Sequence, residues 1–204
     1  MRIEVEHEVY GDLLTSAWRL HEEAFADLGE LAVRRHLMRR DEFVGVMIDP
    51  RVRKYLAFDA GQLVGLSAFT NDLDALPLIS PAYFRRRWPA HYAELRIWYC
   101  DFVAVGRDGE AAFAALMEAM LALAEGENGI VAADFCRVDD RLRRVLEGLP
   151  DTHPARMRAE CVDEQSYLVY RFNSPDPVAA PSRRPAGSAA SRGATPPPPR
   201  PRTT

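Results

Sequence analysis

Residues 95–105, LRIWYCDFVAV, constrain the fold more than any other stretch of the chain. They are nearly continuous in apolar and aromatic side chains, the pattern of a central strand covered on both faces. Immediately after them, Phe113, Leu116, Met117, Met120, Leu121 and Ala124 recur at i, i+3, i+4, i+7, i+8 and i+11, so 110–125 reads as an amphipathic helix ended by Gly126 and Gly129. A strand buried on both faces needs a layer on each side, and one helix supplies only one of them.

The remaining body supplies further elements. Residues 2–9 alternate loosely and read as a strand. Leu14, Trp18, Phe25 and Leu28 recur at helical spacing between Gly11 and Leu28. A second helix is expected over about 30–48, with Val33, Leu37, Val44 and Met47 on one side and Pro50 at its end. Residues 54–70 are two β-rich runs around Asp59-Ala60-Gly61-Gln62, a hairpin signal. A long loop is expected from Asn71 to Ala93, punctuated by Pro77, Pro81 and Pro89. Beyond the central helix, 130–136 reads as a buried strand, 138–148 as a short charged helix, and 156–161 and 166–172 as strands. The order β, α, α, β, β, β, α, β, α, β, β predicts an α+β fold, with a mixed, mainly antiparallel sheet and helices on both faces.

Composition matters where the pattern stops. Residues 173–204 hold nine of the 15 prolines and no aromatic residue, and their apolar side chains are one valine and alanines. Such a segment buries too little apolar surface to offset its ordering entropy, so a disordered Pro/Arg/Ala-rich tail is expected after a 1–172 domain. The tail carries a net charge of +4, and the body −8. A chain of net −4 has no basic footprint for nucleic acid. No run of about 18 apolar residues spans a membrane. The charged start, MRIEVEHEVYG, is unlike a secretory signal. Cys100, Cys136 and Cys161 form no CxxC pair, which argues against a disulfide framework or a structural zinc site and suits a cytoplasmic protein without a metal.

The element order is similar to that of the GNAT acyltransferases over nearly all of 2–172. In that family the fourth strand and following helix hold an acyl-thioester donor, and a loop of the type R/Q-x-x-G-x-G/A cradles its pyrophosphate with backbone N–H groups. Here the segment is Gly106-Arg107-Asp108-Gly109-Glu110-Ala111, with glycine two residues after Arg107 and acidic residues at 108 and 110. The strand itself resembles that of the RTX toxin-activating lysine acyltransferases, R-x-W-F-I-D-W-I-A-P-F-G. Arg96, Trp98, Asp101 and Ala104 coincide with it, and the proline before its last aromatic is absent. That family uses the strand aspartate with an upstream histidine and takes its acyl group from acyl carrier protein. The resemblance therefore implies acyl-CoA or acyl-phosphopantetheine on a carrier protein as donor, and a small-molecule or peptide amine as acceptor.

The candidate residues follow. Asp101 is a carboxylate in an apolar strand, expensive to bury without a partner. It is either a general base (or the orienter of a histidine) for an amine nucleophile, or a buried acid paired with an arginine such as Arg96. His36 is the expected histidine partner, with His21 and His91 as alternatives. Simple alternation puts Tyr99, Asp101, Val103 and Val105 on one face. The resemblance makes Tyr99 a candidate acid for the leaving thiolate. It also places Val103, Ala104, Val105, Gly106, Arg107 and Gly109 along the donor. Arg85, Arg86 and Arg87 form the densest basic cluster of an acidic body and suit phosphates or an acidic carrier protein. Cys100 reads as a small buried hydrophobe. The competing reading is a non-catalytic binding module that recruits a partner through its Pro/Arg tail.

Overall fold

The computed structural model describes residues 1–28, 37–77, 79–107, 109–135, 140–152, 157–164 and 170. The chain divides into two units, Met1–Glu164 and Gln165–Thr204, and every described helix and strand belongs to the first. In order these are β1 (Arg2–Glu6), α1 (Gly11–Phe25), α2 (Arg40–Ile48), β2 (Arg53–Asp59), β3 (Gln62–Thr70), α3 (Pro81–Arg87), α4 (Pro89–Ala93), β4 (Ile97–Val105), α5 (Glu110–Gly126), β5 (Ile130–Ala133) and α6 (Asp140–Thr152). The sheet runs β1-β2-β3-β4-β5, antiparallel throughout except for the parallel β4–β5 pair. This is the expected mixed, mainly antiparallel sheet.

The β2–β3 hairpin turns at Ala60 and Gly61, both at positive φ (47° and 82°), with Asp59 paired to Gln62. Two central residues at positive φ match the right-handed twist of the flanking strands. Helices cover both faces. Leu56, Leu66, Ala68, Phe102 and Ala104 pack with Ala17 and Leu20 of α1 and Phe43 and Met47 of α2. Tyr55, Ala57, Phe69, Trp98 and Cys100 pack on the other face against Ala112, Leu116, Met117, Met120 and Ala124 of α5. A Cβ at Gly65 would lie 3.0 Å from Leu116 Cδ1 and 3.1 Å from Ala112 Cβ, so the missing side chain lets α5 sit close on β3.

Several boundaries differ from the sequence expectation. The first strand ends at Glu6. Residues 37–39 are not helical. The Arg39 N–H donates to Glu42 Oε2 at 2.8 Å and sets the start of α2 at Arg40. The expected loop from Asn71 to Ala93 contains a 3₁₀ turn (Leu73–Ala75) and the helices α3 and α4. Pro81 and Pro89 open those helices at the first position, where a missing N–H removes no bond. The expected strand at 156–161 is absent among the described residues 157–161, four of which are exposed and so have no face to bury. Apart from Tyr170, the strand expected at 166–172 and the tail at 173–204 lie outside the described residues.

Candidate functional site

The candidate residues converge on β4. Its pairing with β3 runs Thr70↔Tyr99, Phe69↔Cys100, then Ala68↔Phe102, and continues to Gly65↔Val105. One residue on β4 is skipped, so Asp101 is the extra residue of a β-bulge. The bulge inverts the alternation. Before it, Trp98 and Cys100 face α5; after it, Val103 and Val105 do, while Phe102 and Ala104 face α1. Tyr99 packs with Ile97 against Phe84 of α3. The expected single face of Tyr99, Asp101, Val103 and Val105 is therefore corrected: Tyr99 lies on the face opposite the two valines, because one inserted residue changes the parity of a period-2 pattern.

The sheet also opens at this point. β5 pairs with β4 from Ile97↔Ile130 to Cys100↔Ala133 and then ends, whereas β4 continues to Val105. Among the described residues no strand follows β4 along 101–105 on that side. Its outward N–H and C=O groups there form a strand edge that an extended amide-bearing chain can pair with. At the vertex, the Tyr99 hydroxyl donates to Asp134 Oδ1 at 2.6 Å. Burial, followed by the negative charges of Asp134 and Asp101, holds the Tyr99 phenol far above its ordinary value, so it stays protonated.

Beyond β4, Gly106 N–H bonds to Val64 O at 3.2 Å and Gly109 N–H to Gly106 O at 2.9 Å, closing a tight turn into α5. A Cβ at Gly109 would lie 2.5 Å from Val105 Cβ and 2.6 Å from Gly106 O, so only glycine fits. The first-turn amides of α5 face this turn, and Arg107 is exposed beside it. Asp108 lies outside the described residues. Glu110, exposed in the same first turn, opposes a doubly charged pyrophosphate. The donor set thus fits a neutral pantetheine arm along β4 with an anionic group at Arg107, and fits a nucleotide pyrophosphate less well.

The other candidates are placed as follows. Arg85, Arg86 and Arg87 are exposed on α3 rather than on a loop. Arg87 pairs with Glu160 at 2.7 Å and lies over Trp88. Because α3 meets β4 through Phe84 on Tyr99, the cluster enters from that end of the strand. Arg107 and Gly109 lie beyond the other end, which at ~3.3 Å per residue is about 20 Å from Tyr99 along β4. Arg96 is engaged by Glu94 and by the Asn128 carbonyl at 3.2 Å. Cys100 is buried, its thiol pushed up to about 12 by that burial, which makes it an inert core group.

His36 lies outside the described residues. His91 is half-buried on α4. His21 is buried on α1 in an aromatic cage, with ring centroids 5.6 Å from Trp18, 4.8 Å from Phe25, 5.0 Å from Phe43 and 5.1 Å from Phe102. Burial lowers its pKa to about 4, so the ring is neutral at pH 7. Phe102 is the residue after Asp101, which places this histidine beside the bulge. A cavity of about 380 Å³ opens against His21, between α1 and residues 37–40. Sequence reasoning missed Asp134, whose only signal is an acid following the apolar run 130–133. It also missed the bulge, for which the sequence carries no local mark.

No protein-family model matches the chain, and no curated protein does either. Among solved structures, a point mutant of the BH1408 protein from Bacillus halodurans matches with a TM-score of 0.52 at 13% identity, covering 84% of this chain and 100% of that one. That likeness is one of fold, the mixed five-stranded sheet with helices. Weaker similarities include the ribosomal-protein-alanine N-acetyltransferase from Brucella melitensis (TM-score 0.46, 21% identity, 84% of this chain and 99% of that one). An aminoglycoside acetyltransferase from an uncultured soil sample gives TM-score 0.48 at 11% identity over 82% of this chain and 97% of that one. Among the described residues no helix is long and apolar enough to cross a membrane, and no group of three or more His, Cys, Asp or Glu could hold a metal.

Proposed function

We propose that this chain is an N-acyltransferase that moves an acyl group from a pantetheine thioester to an amine. The observation that carries the reading is the coincidence, at one point of β4, of the Asp101 bulge, the end of β4–β5 pairing and the Tyr99–Asp134 hydrogen bond. The outward backbone of Val103–Val105 holds the pantetheine amides, and a strand N–H near the bulge stabilises the oxygen that becomes negative as the amine attacks. Asp101, with His21 or His36 as its partner, takes the proton from the amine nitrogen. The C–S bond breaks and the thiolate takes its proton from solvent, while the Tyr99 hydroxyl, held by Asp134 at the vertex, stays protonated. Arg107 and the α5 N-terminus hold the phosphate at the anionic end of the donor arm, so a carrier protein joined to that phosphate docks at the same end of β4, and Arg85–Arg87 lie at the acyl end.

The likeness of Arg96–Gly106 to the toxin-activating acyltransferases and the acidic first turn of α5 both favour a carrier-protein donor over free coenzyme A. Thermal unfolding with acetyl-CoA, S-acetylpantetheine and acyl carrier protein tests the reading. A donor present at 100 times its Kd adds about 2.7 kcal/mol to stability and raises Tm. If no thioester raises Tm and none is consumed, the chain is a binding module instead.

A further inference from the structure

We propose that β1 is a self-pairing edge, and that two copies of this chain join their sheets through it as an antiparallel, twofold dimer. The inference is independent of the acyl-transfer reading, because β2 and β3 separate β1 from β4. Among the described residues no strand pairs with the outer edge of β1, so its outward N–H and C=O groups form a row open to another strand. Natural edges are often blunted by a proline or a bulge. β1 has neither: its pairing with β2 runs unbroken from Arg2↔Phe58 to Glu6↔Lys54, and its sequence is RIEVE. Its apolar side chains are also uncovered. Alternation puts Met1, Ile3 and Val5 on the α5 face, where Ile3 packs, yet Met1 is 56% and Val5 44% exposed.

The charges of the strand select one register. A twofold axis normal to the sheet keeps every side chain on its own face, so each residue meets one of the same parity in the other copy. Centred on Ile3, the pairing sets Arg2 of each copy against Glu4 of the other. On the opposite face it sets Met1 of each copy against Val5 of the other, and Ile3 against Ile3. The neighbouring registers are worse. Centred on Arg2, two guanidinium groups meet; centred on Glu4, two carboxylates meet; centred on Val5, Glu4 meets Glu6. Like charges directly opposite are destabilising. Within one chain Arg2 Nη2 already lies 2.8 Å from Glu4 Oε1. In the dimer each of the four charges therefore has two neighbours of opposite sign, one along its strand and one across the pair. The apolar side chains of the other face cover one another beside the two α5 helices. The two sheets become one, with the β4–β5 opening of each copy on the far side from the joint.

Sedimentation velocity of the whole chain over a concentration series tests this. The expected result is a reversible dimer. Arg2→Glu and Glu4→Arg each bring like charges face to face at two places, and each should weaken the dimer by about tenfold or more. Mixed in equal amounts, the two variants should pair with each other to within about threefold of the natural affinity, because two acidic positions of one copy then meet two basic positions of the other. The two side chains are 70% and 35% exposed, so neither change disturbs the core. Val5→Lys, on the other face of the strand, should also give a monomer, and it keeps the test decisive if a charge variant fails to fold. A natural chain that stays monomeric, a dimer unaffected by Arg2→Glu or by Val5→Lys, or a mixture of the charge variants that stays monomeric overturns the proposal. Thiol release plays no part in the readout, so failure of acyl transfer leaves the result standing.

Discussion

Acidification should destabilise this fold through one residue, His21. The side chain is 5% exposed and ringed by Trp18, Phe25, Phe43 and Phe102, so charging it means placing an imidazolium in an apolar cage. Its folded pKa is lowered from 6.5 to about 4. The unfolded chain therefore takes up a proton below pH 6.5 that the folded chain refuses until about pH 4, and stability falls as pH drops through that window. Linkage with these two values gives a loss of about 2 kcal/mol at pH 5 and about 3 kcal/mol at pH 4. The assay is urea unfolding at pH 7.5, 6, 5 and 4 for the natural chain and for His21→Phe, which keeps a ring in the cage. Carboxylates titrate in both, so the difference between the two curves isolates His21. It should narrow by about 2 kcal/mol in favour of the variant between pH 7.5 and 5. Parallel curves would refute the claim that the cage holds a neutral histidine.

Three other outcomes are expected. Gly109→Ala forces a Cβ into Val105 and the Gly106 carbonyl, so it should lower Tm and abolish the Tm shift caused by a thioester donor, whereas Gly106→Ala, with nothing within 4 Å, should do neither. Lys54 is fully buried and its Nζ donates to the carbonyls of His7 (2.7 Å), Asp49 (2.6 Å) and Val52 (2.8 Å). Lys54→Met strands those acceptors and should cost roughly 3–5 kcal/mol, measured by chemical unfolding. Asp134→Asn removes the negative partner of the Tyr99 hydroxyl. Spectrophotometric titration should show the Tyr99 phenol moving down toward its ordinary value, and an unmoved titration would mean that burial alone sets it.

Much of the sheet was legible in the sequence because its signals are local. The nearly continuous apolar run before Gly106 marks a doubly covered strand, and Asp59–Gln62 marks a tight turn; neither depends on distant residues. The helix of 110–125 was equally plain, since its apolar positions all meet one sheet face. Prolines misled where their position mattered more than their presence. Pro81 and Pro89 read as loop residues, yet each opens a short helix. The site was legible only in part. Asp101 stood out as a charge in an apolar strand, but a bulge is set by pairing with β3, and alternation along one strand cannot show it. Tyr99 was singled out for its type, while its partner Asp134 lies 35 residues on, and only folding brings the two within 2.6 Å. Among the histidines, His21 falls on the apolar stripe of α1 with Trp18 and Phe25, but its cage is completed by Phe43 of α2 and Phe102 of β4, which no helical wheel of α1 contains.

The most direct test of the central claim is thiol release from acyl thioesters in the presence of a panel of primary amines, comparing the natural chain with Asp101→Asn. Both proteins should share a circular dichroism spectrum. The account predicts amine-dependent release by the natural chain and a loss of about 10²–10⁴-fold in the variant, the size of a missing general base. Release at an equal rate by Asp101→Asn would contradict the role of the bulge residue. No release from any coenzyme A or carrier-protein thioester would contradict acyl transfer itself.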